Sequence, residues 1–252
     1  MELIALKLIS TPLLIAVATL AARRWGQTVG GWLVGLPLTS GPVSLFLALD
    51  QGTSFAAGAA LGSLQGVIAQ SLFCLLFARL ISSMGWPLTL VLASFVYVAT
   101  GALLQAVALP LLALFILDLP VLALSLVAMP AGQQIGPSPM VVPRWDLPAR
   151  MAVATVLVLG LTALAPALGP TLSGLAASFP VFATTLVVFA TRTYGAAHAV
   201  QALRGLVLGL YAFAACFFAI GETLVTLGIP TSFALGIAVA LAVQGTTLLL
   251  VR

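Results

Sequence analysis

The chain has 252 residues, 62% of them hydrophobic and 6% charged, with a mean hydropathy of +1.26. A water-soluble domain of this size cannot keep so much apolar surface out of water, so its solvent is lipid. The isoelectric point near 9.7 reflects nine Lys and Arg set at the ends of apolar runs rather than a basic patch, which excludes a nucleic-acid partner.

The hydrocarbon core of a bilayer is about 30 Å thick, and a helix crosses it in roughly 20 residues. On that measure the sequence divides into about nine spans, near 4–22, 28–49, 54–78, 87–105, 109–129, 150–168, 171–191, 197–220 and 230–250. The first run is too long for a cleaved signal and ends in Arg23-Arg24, so it reads as a retained helix.

Span 2 is unusual. Gly30, Gly31 and Gly35 precede Pro37, and Gly41-Pro42 follows. Each proline removes an amide donor and clashes with the carbonyl four residues back. Freed amides and carbonyls are too costly in hydrocarbon, so this stretch is expected to be buried in protein or to line a wet cavity. There Thr39 and Ser40 can satisfy the freed groups.

Span 3 carries Gly58-x₃-Gly62-x₃-Gly66, a one-face stripe that permits close backbone approach. Its Gln65 and Gln70 read as interhelical hydrogen-bonding residues. Residues 86–129 suit two spans joined by a tight turn, with Pro110 opening the second helix. In that second helix Asp118, beside Pro120, is the one mid-span carboxylate. A bare charge there is expensive, so Asp118 should face the interior, pair, or stay protonated. Arg204, about two turns into span 8, is its candidate partner.

The segment 130–148 reads as a Pro/Gly linker. Span 7 then carries a milder break, Ser178-Phe179-Pro180, followed by Thr184-Thr185. Span 8 has Gly205-x₃-Gly209, and His198 near its start reads as an interfacial residue. The two glycine stripes are expected to let spans 3 and 8 cross, with a homodimer interface as the competing use. Cys74 and Cys216 both sit in apolar runs and read as free thiols.

A shift of 143 residues, with no insertion, relates the halves. It lays Gly26-x-Thr28-x-x-Gly31-x₅-Pro37 on Gly169-x-Thr171-x-x-Gly174-x₅-Pro180. It also lays Gly52, Gly62, Gly66 and Pro87 on Gly195, Gly205, Gly209 and Pro230. The repeat begins at span 1 and again at span 6. Five spans separate these starts, so the copies face opposite ways across the membrane. The expected fold is an all-α integral membrane protein with a 4+1+4 inverted-topology repeat and interrupted helices 2 and 7. Residues 1–106 form repeat 1, 107–148 the linking helix and linker, and 149–252 the inverted repeat 2.

Positive charge supports nine spans. Arg23, Arg24, Arg79, Arg144, Arg150, Arg192, Arg204 and Arg252 then share one side, against Lys7 alone on the other. The positive-inside rule puts the N-terminus outside and the C-terminus in the cytoplasm, in a bacterial inner membrane. All four tryptophans, Trp25, Trp32, Trp86 and Trp145, fall at the same cytoplasmic end.

Inverted copies with breaks at matching depth suggest a secondary transporter working by alternating access. The expected substrate-binding set is Gly35, Pro37, Thr39, Ser40 and Gly41 from span 2, Pro180, Thr184 and Thr185 from span 7, and Arg204. Asp118 is the expected proton-coupling residue. Half-helix N-termini favour anions, half-helix C-termini cations, and Arg204 tips the balance towards a small anionic solute. The alternatives are a channel or facilitator and, third, an assembly subunit without transport. No enzyme, metal site or cofactor is expected: one histidine and five scattered acids supply no ligand cluster, and no nucleotide-binding loop is present.

Overall fold

The computed structural model describes residues 40–130 and 145–251, together with Ile9, Leu13 and Pro37. The rest of the expected span 1, half of span 2 and the 131–144 part of the linker lie outside these residues. So do Gly35 and Thr39. Every secondary-structure element among the described residues is a helix. In chain order they are α1 (Ser40–Gln51), α2 (Thr53–Met84), α3 (Trp86–Val107), α4 (Leu111–Ala128), α5 (Asp146–Leu168), α6 (Pro170–Ala177), α7 (Val181–Tyr194) and α8 (Ala196–Val251). Gly228 has non-helical backbone and divides α8 into two arms, 196–227 and 229–251.

Among the described residues, four helices are long and apolar enough to cross a membrane. On α3 the side chains of Phe95, Val98 and Leu103 are 69%, 62% and 65% exposed, a surface that suits lipid and not water. These features mark a helical membrane protein. Residues 86–129 form two helices. Left-handed Ala108 ends α3, and Pro110 caps α4 where its missing N–H leaves nothing unpaired.

Glycine punctuates the rest. Gly52 and Gly195 have φ of 92° and 90°, and Gly85 and Gly228 have φ of 71° and 75°. A side chain is strained in that region, so each glycine ends one helix and turns the chain into the next. Both pairs are 143 residues apart. The offset also lays α1 on α7, α2 on the first arm of α8, and α3 on the second arm.

The long helix α2 is the centre of the molecule. It shares one core with the first arm of α8, in which Leu64, Val67, Phe73 and Phe77 meet Leu203, Leu206, Leu210 and Phe217. The helix directions follow from contacts at the two ends. At one end Gly221 lies against Leu111 and Ala60. At the other, the Arg79 Nε donates to the Ala128 carbonyl at 2.8 Å and the Arg204 guanidinium to the Leu126 carbonyl at 3.0 Å. Helix α4 therefore runs parallel to α2 and antiparallel to the first arm of α8, and those two run antiparallel to each other.

The glycine stripe of α2 has a different use from the expected crossing with span 8. A Cβ at Gly58 would meet Pro170, one at Gly62 would land in the Thr171 carbonyl, and one at Gly66 would press on Ser178. From the other side, a Cβ at Gly174 would strike the Ala59 carbonyl. The stripe seats the short helix α6 backbone to backbone. In lipid, where apolar side chains gain little by meeting one another, contact this close is a main source of helix association.

Candidate functional site

The seat of α6 fixes a gap in the helix that follows. Helix α6 stops at Ala177 and α7 starts at Val181. Between them Pro180 has φ −78° and ψ 55°, and the Val181 N–H donates to the Phe179 carbonyl at 2.8 Å, the geometry of an inverse γ-turn. Pro180 is buried. Its carbonyl then accepts from the Thr184 amide at 2.9 Å and the Thr184 hydroxyl at 2.8 Å.

Hydroxyls from three other helices close the carbonyl end of α6. Ser63 of α2 reaches the Gly174 carbonyl at 3.5 Å, and Tyr97 of α3 donates to Leu175 at 2.8 Å. Ser40 of α1 donates to Ala177 at 2.7 Å, and Ser178 folds back onto Gly174 at 2.9 Å. The Tyr97 ring also meets Phe179 edge-on at 5.1 Å. These carbonyls would be the natural cation ligands of a broken helix, but protein donors already occupy them. The Ser40 bond joins the described end of the span 2 segment to the break in span 7.

Beyond the break lies a cleft of about 530 Å³. Helix α7 lines it along one face with Val181, Thr184, Val188 and Arg192, and α3 supplies Leu90 and Ser94. Phe179 and Trp145 complete the lining. The Arg192 guanidinium lies 5.1 Å over the Trp86 ring. A second cleft, of about 320 Å³, lies among Pro37, Gly41, Pro42, Leu45 and the α8 residues Cys216, Ile220, Phe233, Ile237, Ala240 and Leu241. Under the 143-residue offset Thr184 falls on Gly41, Val188 on Leu45, Leu90 on Phe233 and Ser94 on Ile237. The two clefts are thus lined in part by residues 143 apart in the sequence.

The expected site residues divide accordingly. Ser40, Pro180 and Thr184 come together at the α6–α7 break, and Pro37 and Gly41 line the second cleft. Thr185 lies in α7, its side chain outside the described set. Arg204 is elsewhere, and its expected pairing with Asp118 is corrected. Its guanidinium reaches the Leu126, Met129 and Pro130 carbonyls at 3.0, 3.5 and 3.3 Å and so caps the C-terminal end of α4. Exposed carbonyls at a helix end attract a cation more cheaply than a carboxyl two turns deeper. Arg204→Ala should therefore lower stability by about 1–2 kcal/mol, with Arg204→Lys recovering part of it. Thermal melting in detergent measures both.

Asp118 has no exposure and neither carboxyl oxygen has a partner among the described residues. Gln65 is buried as well, and its Oε1 lacks the expected interhelical bond. Among the described residues no group of three or more His, Cys, Asp or Glu side chains comes together.

The sequence reading missed Ser63, Tyr97, Ser94 and Arg192 as site residues. Arg192 had a usable signal. It continues the face that starts at Thr184 and Val188, at spacings of four, and the offset pairs it with Leu49 rather than another cation. Comparison of the chain with protein-family models, with curated proteins and with solved structures yields no match.

Proposed function

We propose that the chain is a secondary transporter that moves a small solute by alternating access around the breaks in spans 2 and 7. On this reading the protein is a nine-span, 4+1+4 inverted repeat in a bacterial inner membrane, with its C-terminus in the cytoplasm. The antiparallel course of α2 and the first arm of α8, which correspond under the offset, supports the inversion. One observation carries the functional part: Ser40, at the end of one interrupted segment, is bonded to the last carbonyl of the half-helix in the other. Interrupted helices that meet inside a bundle are where such proteins bind their cargo.

Inversion turns the two corresponding clefts towards opposite faces of the membrane. Rocking α1 and α7 against the α2–α8 core would open one and close the other. The carbonyl end of α6 is taken up by hydroxyls, so the amide end of α7 is the pole left for the solute, and it favours an anion. Asp118, at mid-length of α4, is the proposed proton-coupling group.

Counterflow separates this reading from a channel. Proteoliposomes preloaded with unlabelled solute should accumulate labelled solute transiently above equilibrium, which a channel does not do. The topology has its own test. In a Cys74→Ala, Cys216→Ala background, single cysteines in the 50–53 loop should react from outside and those in 131–144 from the cytoplasm. Labelling of both loops from one side would remove the inversion.

A further inference from the structure

The two clefts share a backbone plan but differ in chemistry. From that difference we infer that the solute is an organic anion with an apolar body, bound with its charge at Arg192. The inference rests on the transport reading for its physiological meaning, though its test measures binding alone.

The second cleft shows what this groove needs for folding. At the places of Thr184 and Ser94 it has Gly41 and Ile237, and at the place of Arg192 the other copy has Leu49. The groove therefore forms without hydroxyls and without a cation. The first cleft carries all three, and among the described residues no acidic side chain lines it. Arg192 is also held in place. The Arg192 guanidinium carbon lies 5.1 Å over the Trp86 ring, a cation–π contact, and a guanidinium presents its N–H donors as a planar fork. That fork matches the two oxygens of a carboxylate or phosphate. Leu90, Val181, Val188 and Phe179 supply a hydrocarbon wall beyond it. An inorganic anion would leave this wall unused, and a neutral hydrocarbon would leave Arg192 unpaired.

Two sources offer the same chemistry: a soluble aryl or alkyl carboxylate, and an anionic lipid whose headgroup sits at Arg192. Full-length protein in a neutral detergent, titrated with phenylacetate, should show saturable tryptophan quenching and a raised melting temperature. Phenylacetamide and sulfate should do neither. Arg192→Gln should weaken phenylacetate binding by about tenfold or more, and Arg192→Lys by less. Ser94→Ile, which copies the second cleft and leaves Arg192 in place, should also weaken it.

Native mass spectrometry distinguishes the sources. Retained phosphatidylglycerol that phenylacetate displaces, and that Arg192→Gln loses, identifies the lipid. Phenylacetate binding to protein with no retained lipid identifies the soluble acid. Equal affinity for phenylacetate and phenylacetamide would overturn the inference, as would undiminished binding by folded Arg192→Gln. Transport can fail separately: phenylacetate that binds through Arg192 but shows no counterflow leaves the binding site standing and removes the transporter reading.

Discussion

Replacing Gly174 by alanine is expected to destroy the fold or to lower its stability by at least about 3 kcal/mol. The added methyl would land in the backbone carbonyl of Ala59. A flexible side chain could swing aside from such a contact. A carbonyl in the middle of α2 cannot, because α2 is packed on every side by α3, α4, α6 and α8. Either α6 lifts from α2 as a unit, or it does not form. Gly62→Ala creates the reciprocal clash with Thr171 and should be as severe. Gly41→Ala and Gly160→Ala are the controls, since a Cβ at either position meets nothing within 4 Å among the described residues. Gly160→Ala, in the interior of α5, should be neutral or stabilise by about 0.5–1 kcal/mol, and Gly41→Ala, in the first turn of α1, should be close to neutral. Thermal melting and size-exclusion profiles in detergent measure all four. If Gly174→Ala melts within a few degrees of the parent, α6 is not seated as described. Variants of Gly62 or Gly174 that fold partially should lose solute binding first, because the seat of α6 sets the position of Phe179, Pro180 and the cleft.

Much of this architecture was legible in the glycines and prolines because their effects are local. A missing N–H favours a helix boundary, and Pro110 and Pro180 each stand at one, although Pro120 lies inside α4 and Pro166 inside α5. The same is true of Gly52 and Gly195, whose conformations other residues avoid. Partner choice is a different kind of information. The spacing of Gly58, Gly62 and Gly66 gives a smooth face, and nothing in that spacing names the helix that uses it. Two helices compete for α2, and the shorter one, α6, takes the glycines while α8 packs through larger side chains.

The pairing of Asp118 with Arg204 failed for a related reason. Opposite charges in apolar sequence invite each other, but the long arginine side chain had a nearer acceptor in the end of α4, formed by residues 126–130. Hydropathy does not show which helix end lies beside a given side chain. The closure of α6 by Ser40, Ser63 and Tyr97 was hidden in the same way. Each is an ordinary residue in its own helix, and its role arises only where three helices converge.

Asp118→Asn is expected to abolish the pH dependence of uptake while leaving the protein at least as stable. The side chain sits on the core face of α4, between Leu114 and Leu122, which are also fully buried. Interpolation between the contacts at the two ends of α4 puts it level with Val67 and Ile68 on α2 and with Phe213 and Ala214 on α8. All are near the middle of their helices. The polar and titratable groups nearby on the packed elements are Ser63, Gln65, Gln70, Ser71 and Cys74 on α2, and on α8 Cys216, Tyr211, whose hydroxyl donates to the Leu119 carbonyl at 3.2 Å, and Arg204 beyond it. None is hydrogen-bonded to either carboxyl oxygen. An ionised carboxylate left there without a partner costs several kcal/mol, and one pH unit changes the protonation balance by about 1.4 kcal/mol. Gaining or losing the proton would thus alter the packing of α4 against both α2 and α8, the core against which α1 and α7 would rock in the proposed cycle. Asparagine fills nearly the same volume and never carries the charge. Where the parent changes its uptake rate by about tenfold across a unit of pH, the variant should change by less than about twofold. A purely structural carboxyl would behave differently: its replacement would change the melting temperature and leave the pH profile of uptake in place. An unaltered profile in Asp118→Asn would remove this residue from the coupling step, whatever the clefts on either side of it bind.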